Sequence, residues 1–199
     1  MLLVFGGMFA IGIKYDLAAP PQEFEKTTLT SSLNQPTAFR FLPDGRILIA
    51  EKAGAIKIYQ NGQLSTDPLI TLVTLQTNGA DERGLLGLEP DPDFATNGYL
   101  YVSYTTAQNY DRLSRFTVTG NSADPASELV LLQSNQLGNV WHHGGEVRFG
   151  PDGKLYWAMG VNTVYSNAQN LTNVHGKLHR INKDGTIPAD NPFVNTPGV

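Results

Sequence analysis

From Leu29 onward apolar and polar residues alternate in short runs, and the runs recur in similar sets. A period of two puts every second side chain on the same face of a strand. The first set runs from Ala38 to Leu42, turns at Pro43-Asp44-Gly45, continues from Arg46 to Glu51, and then from Ala55 to Tyr59 before Asn61-Gly62. Asn-Gly predicts a tight hairpin, because both residues tolerate the left-handed backbone that such a turn needs. The second set is Gly87 to Pro90, a turn over Asp91 to Phe94, Tyr99 to Tyr104, and Asp111 to Val118. The third is Glu146 to Gly150, a turn at Pro151-Asp152-Gly153, Lys154 to Gly160, and later Gly176 to Ile181. The turn prolines 43, 92 and 151 lie 49 and 59 residues apart. A repeat of roughly 50 residues, each copy holding three or four antiparallel strands, predicts an all-β chain folded as blades of a β-propeller. One blade cannot cover both of its faces, so its apolar side chains must be buried against neighbours. Propellers close with roughly 4 to 8 blades. This chain supplies about three, which predicts either a fragment or a ring that partners complete.

Composition narrows the function classes. The 199 residues are 41% apolar and 16% charged, with 20 Gly and 12 Pro, which favours turns and short strands over bundles and coiled coils. A net charge of -4 leaves no basic footprint for nucleic acid or an anionic membrane face. The absence of cysteine removes disulfides, thiolate nucleophiles and Cys-ligated zinc. Residues 2–13, LLVFGGMFAIGI, fit the apolar region of a signal peptide or a short anchor, although no basic residue follows Met1. They are too few to span a bilayer as a helix, which takes about 20 residues. The reading that follows is residues 1–26 as apolar run plus linker, a propeller portion over 27–199, and a periplasmic or extracellular location.

Chemistry is sparse. Phosphate-binding, dinucleotide-binding, zinc-protease and nucleophile-elbow motifs are missing. His142 and His143 point to opposite faces if their segment is extended, so they do not share a metal. His175 and His179 have helical chelating spacing, but Gly176 and the alternation from Lys177 to Ile181 argue for a strand, which would separate them. His142 precedes Gly144-Gly145, where a backbone or flat ligand can approach closely, just ahead of a strand that would face the channel. An imidazole there could act as a general base near neutral pH, or simply bond within the turn beside Trp141. Glu82-Arg83, ahead of Gly84-Leu85-Leu86-Gly87, is a second charged pair at the head of a strand; alone it reads as a turn salt bridge.

Three blocks carry a resemblance. Asp81-Glu82-Arg83-Gly84-Leu85-Leu86-Gly87 through Asp91-Pro92-Asp93-Phe94 is the first, and His142-His143-Gly144-Gly145 with Phe149 to Tyr156 is the second. The third is Asn167-Ala168-Gln169-Asn170-Leu171 followed by Gly176 to Phe193. Together, over about residues 33 to 193, they resemble the soluble PQQ-dependent sugar dehydrogenases, the glucose/sorbosone dehydrogenase family. The resemblance implies a six-bladed propeller with PQQ across the top of the channel and a calcium ion that orients it. It implies oxidation of the anomeric hydroxyl of an aldose to a lactone, with hydride passing to PQQ and then electrons to an external acceptor. The base maps to His142, with Glu82 lining the cofactor and sugar site, Arg83 a partner for a PQQ carboxylate, and Asn162 a third cofactor-side candidate that, next to Val161, could compensate for the departure there. Two departures stand out. Relatives commonly place an acidic residue where this chain has Val161, and a valine cannot accept a hydrogen bond from the imidazole. Family members also run to roughly twice this length, so the later cofactor contacts and the calcium ligands are expected outside these residues, and the fragment alone is expected to be inactive. A non-catalytic propeller module used for binding in a larger exported protein is the alternative that Val161 favours; a metal-dependent sugar lactonase would need a carboxylate cluster that is not evident.

Overall fold

The computed structural model describes residues 23–76, 80–135 and 137–196. The apolar run at residues 2–13 lies outside them. Three antiparallel sheets follow one another along the chain. The first holds β1 (Pro36–Phe41), β2 (Ile47–Glu51), β3 (Ala55–Gln60), β4 (Gln63–Leu64) and β5 (Ile70–Thr71). The second holds β6 (Leu85–Pro90), β7 (Tyr99–Thr105), β8 (Asp111–Thr119), β9 (Ser122–Ala123) and β10 (Leu129–Gln133), with a short helix α1 (Phe94–Asn97) between β6 and β7. The third holds β11 (Gly144–Phe149), β12 (Leu155–Met159) and β13 (Lys177–Ile181). The three sheets are the blades that the repeat predicts, so the chain is all-β with a propeller-like arrangement. The outer strand β10 was not marked by alternation; its sequence, LVLLQ, is uninterrupted until its end.

Each blade begins with an inner strand, and these pack in order, β6 on β1 and β11 on β6. The Pro-Asp-Gly turns do what their residues dictate. Gly45 and Gly153 adopt φ of +88° and +71°, where a Cβ would be strained, and the Asp side chains accept from backbone N–H groups two residues on. Two apolar layers lie between the blades. Leu48, Ala50, Ile56 and Ile58 of the first sheet meet Leu88, Leu100 and Val102 of the second. Tyr101 and Leu113 of the second sheet meet Val147, Leu155 and Trp157 of the third. Charges join all three inner strands: Arg40 on β1 pairs with Glu89 on β6 and Glu146 on β11, and Arg148 on β11 reaches the same two carboxylates. Just beyond the end of β6, Lys183 reaches Asp91 at 2.7 Å and Asp93 at 3.0 Å, pinning the third blade to the second. Burial pushes the Asp91 carboxyl up, but Lys183, the Asp93 N–H and Tyr101 outweigh it and hold the group below the ordinary carboxylate range.

Candidate functional site

The turn that leads into β11 places the first of the two neighbouring histidines. His142 has φ of +62°, a left-handed conformation that is uncommon for a residue with a Cβ. Its neighbours hold it there. The His142 N–H donates to Glu82 Oε2 at 2.6 Å, and its carbonyl accepts from the Asn162 N–H at 3.0 Å. A Cβ on Gly160 would come within 2.0 Å of the His142 carbonyl oxygen, so only glycine lets the two backbones approach. Glu82 is tied to the same loop by its own N–H, which donates to the Val140 carbonyl at 2.9 Å, and the Trp141 indole donates to the Ala80 carbonyl. Glu82 and His142, 60 residues apart in sequence, are thus joined at the head of two inner strands. The His142 ring is half-buried, with the exposed ring of Tyr165 at 5.9 Å.

The other expected site residues have different surroundings. Arg83 is buried and forms a forked pair with Asp81, Nη2 to Oδ2 at 2.8 Å and Nε to Oδ1 at 2.9 Å, while Nη1 reaches Asn109. The turn salt bridge exists, but its carboxylate is Asp81 and not Glu82. The guanidinium is therefore already neutralised. Asn162 is also buried, and both ends of its carboxamide hold the loop: Oδ1 accepts from the Gly138 N–H, and Nδ2 donates to the carbonyls of Asn139 and Trp141. It shapes the turn through the backbone and does not reach the imidazole in its place. Val161 lies against Gly176, where an added Cβ would be 2.7 Å from the Val161 side chain.

His143, the next residue, is buried between the second and third blades. Its Nδ1 lies 3.0 and 3.2 Å from the two oxygens of Asp111, and Asp111 Oδ1 also accepts from the Thr105 hydroxyl. His143 Nε2 and His175 Nδ1 are buried without a hydrogen-bond partner. Burial holds the His175 imidazole below the ordinary histidine range; Asp111 opposes this, while His143 and Lys177 add to it. His179 is lowered chiefly by burial as well, and its Nε2 lies 2.7 Å from the Val174 carbonyl. This carboxylate–imidazole pair was not anticipated, because Asp111 and His143 are 32 residues apart and nothing local links them. A polar cleft of about 370 Å³ opens on the same face, lined by Asn139, Asn162, Thr163, Asn167, Asn173 and His175 among others. His142 does not line it. Among the described residues, no group of three or more His, Asp or Glu is placed to hold a metal ion. No helix among them is long and apolar enough to cross a membrane.

The fold and sequence match known proteins. The Glucose / Sorbosone dehydrogenase family model matches residues 33–199. The Aldose sugar dehydrogenase YliI of Escherichia coli is 31% identical over 189 residues, covering 92% of this chain and 50% of that protein. The solved PQQ-bound form of an aldose sugar dehydrogenase from Streptomyces coelicolor superposes with a TM-score of 0.74 at 27% identity, over 90% of this chain and 54% of that one. The Hedgehog-interacting protein of Mus musculus is 33% identical over 195 residues, covering 83% of this chain and 28% of that protein. The chain spans about half the length of the dehydrogenases it matches.

Proposed function

Since the chain belongs to the glucose/sorbosone dehydrogenase family, we propose that it forms the base-bearing half of a PQQ-dependent oxidoreductase that converts the C1 hydroxyl of an aldose to a lactone. The observation that carries this reading is the clamp on His142. Glu82, Asn162 and Gly160 fix the backbone of this left-handed residue, and its ring remains half-exposed at the head of an inner strand. Holding the backbone this firmly spends the reorganisation cost before substrate arrives. The imidazole can then accept the proton of a hydroxyl seated above it, which is the protein's share of such an oxidation.

The residues present fit the substrate-side base better than they fit the cofactor. PQQ carries carboxylates that call for cations. Arg83 is neutralised by Asp81, Lys52 donates to the Asp81 carbonyl, and Lys177 donates to the carbonyls of Asn167 and His175. The counter-charges for PQQ, and the oxygens for calcium, are thus assigned outside the described residues, and no step is derived through either group. A periplasmic or extracellular location and an external electron acceptor belong to the same proposal. A second reading, a binding module without catalysis, is favoured by Val161 and by the match to a protein named for an interaction. The discriminating experiment replaces the matching half of the E. coli aldose sugar dehydrogenase with residues 33–199. With PQQ and Ca²⁺ added, the chimera should reduce a dye in the presence of aldoses. A chimera that unfolds cooperatively yet reduces no dye with any aldose would favour the binding module.

A further inference from the structure

We propose that Tyr165 is a wall of the sugar site: its ring stacks against one face of a pyranose and holds the anomeric hydroxyl over His142. The inference rests on the dehydrogenase reading for the reaction, while the stacking itself is a binding property that can be measured without turnover. Tyr165 takes no part in the proton transfer, in which the hydroxyl proton passes to the His142 imidazole.

An unusual piece of backbone brings Tyr165 to His142. After β12, Asn162 and Thr163 adopt φ of +47° and +64° in succession. Asparagine tolerates the left-handed region, but a β-branched threonine there is an outlier. Such strain persists only where the surroundings over-determine it. Here Asn162 is locked to the 138–141 loop through its carboxamide, and the Thr163 hydroxyl donates to the Asn162 carbonyl at 2.7 Å. The chain then folds into a short 3₁₀ turn, Tyr165–Gln169. Asn167 anchors that turn: its Nδ2 donates to the Val161 carbonyl at 3.2 Å, its Oδ1 accepts from Asn173, and its carbonyl accepts from Lys177 Nζ. Every anchor belongs to the segments that flank the third sheet. The turn is fastened at Asn167 and presents Tyr165 outward, 74% exposed.

The ring geometry points to what it meets. The Tyr165 and His142 rings are 5.9 Å apart and inclined at 55°. Rings stacked in parallel would cover each other's faces, whereas at this inclination they form the two sides of an open wedge. The base occupies one side. The aromatic face on the other suits a neutral ligand with C–H groups on its flat face and hydroxyls around its rim, which describes a pyranose. The negative face of an aromatic ring attracts polarised C–H groups, and a tyrosine has few torsions to lose when a ligand pins it. A sugar seated on Tyr165 therefore directs its rim hydroxyls along the wedge toward the imidazole.

The test uses the chimera that carries residues 33–199 in the E. coli dehydrogenase. Without cofactor, saturation-transfer NMR with methyl β-glucoside, which has no free anomeric hydroxyl to oxidise, should show saturation of the sugar's C–H protons, and Tyr165→Ala should lose most of it. With PQQ and Ca²⁺ added, Tyr165→Ala should raise the KM for an aldose about tenfold with a much smaller fall in kcat, since the stacking contact is made in ground state and transition state alike. Tyr165→Phe should restore both readouts, because the ring and not the hydroxyl makes the contact. The melting temperature should not move in either variant, the side chain being mostly exposed. Saturation indifferent to Tyr165→Ala, an unchanged KM, a phenylalanine variant as poor as the alanine one, or a KM change that merely follows a lowered melting temperature would each overturn the proposal. A chimera that binds methyl β-glucoside through Tyr165 yet oxidises no aldose would overturn the dehydrogenase reading and leave the sugar wall standing.

Discussion

The turn around His142 and the seam around His143 belong to consecutive residues yet are built by different means. His142 is held through its backbone, by Glu82 and Asn162, and its half-exposed ring has no carboxylate hydrogen-bond partner among the described residues. His143 is held through its ring, by Asp111, with its side chain wholly buried between two blades. The arrangement that looks most like an activated histidine, an imidazole backed by a carboxylate, is therefore the one substrate cannot reach. Reach separates chemistry from architecture here, since a base must lie within hydrogen-bond distance of the proton it takes.

Perturbing the seam should cost stability. The largest effect expected is Trp157→Ala, which empties the centre of the layer between the second and third sheets and strands Ser103; a loss of about 3–5 kcal/mol is expected from urea unfolding. Asp111→Ala leaves His143 Nδ1 and the Thr105 hydroxyl without their acceptor, and a cost of roughly 2–3 kcal/mol should appear in the same measurement. If Asp111→Ala unfolds at the native urea concentration, the pair is ornamental and the contrast fails. Within the turn, Asn162→Ala should cost about 1–2 kcal/mol by freeing the 138–141 loop, while leaving the Asp111–His143 pair intact.

The smallest effect expected is a response to pH. Burial keeps His175 and His179 below the ordinary histidine value in the folded chain. As pH falls below about 6.5, the unfolded chain therefore binds protons first, and stability declines with falling pH; above that value neither state carries the charge and no contribution remains. Thermal unfolding from pH 7.5 down to pH 5 should show the decline, and His175→Gln should flatten it. An unchanged slope in that variant would remove His175 from the account.

The blade repeat was legible because its turns are chemically explicit. Pro-Asp-Gly and Asn-Gly permit few backbone paths, and the alternation between them fixes which face is buried. The strand β10 was less so, since LVLLQ has no alternation, and nothing in it tells an outer strand from a buried one. At the site, His142 and Glu82 were legible as motif members, but their mutual clamp depends on a left-handed histidine, a conformation that no turn motif around His142 assigns to it. Arg83 illustrates the opposite difficulty. A cation beside a candidate site reads as a ligand for anions until the carboxylate two residues earlier is seen to have claimed it. Proximity in sequence marked Arg83 for a turn salt bridge but suggested Glu82 as its partner, where the structure has Asp81.

The contrast between the two histidines is tested most directly in the dehydrogenase chimera by measuring turnover and melting temperature together. Asparagine tolerates the left-handed backbone, so His142→Asn removes the base with little strain. Turnover should fall by about a hundredfold or more at an unchanged melting temperature, whereas His143→Ala should lower the melting temperature first. Turnover within a few-fold of the parent in the His142→Asn chimera would contradict the assignment of His142 as the base.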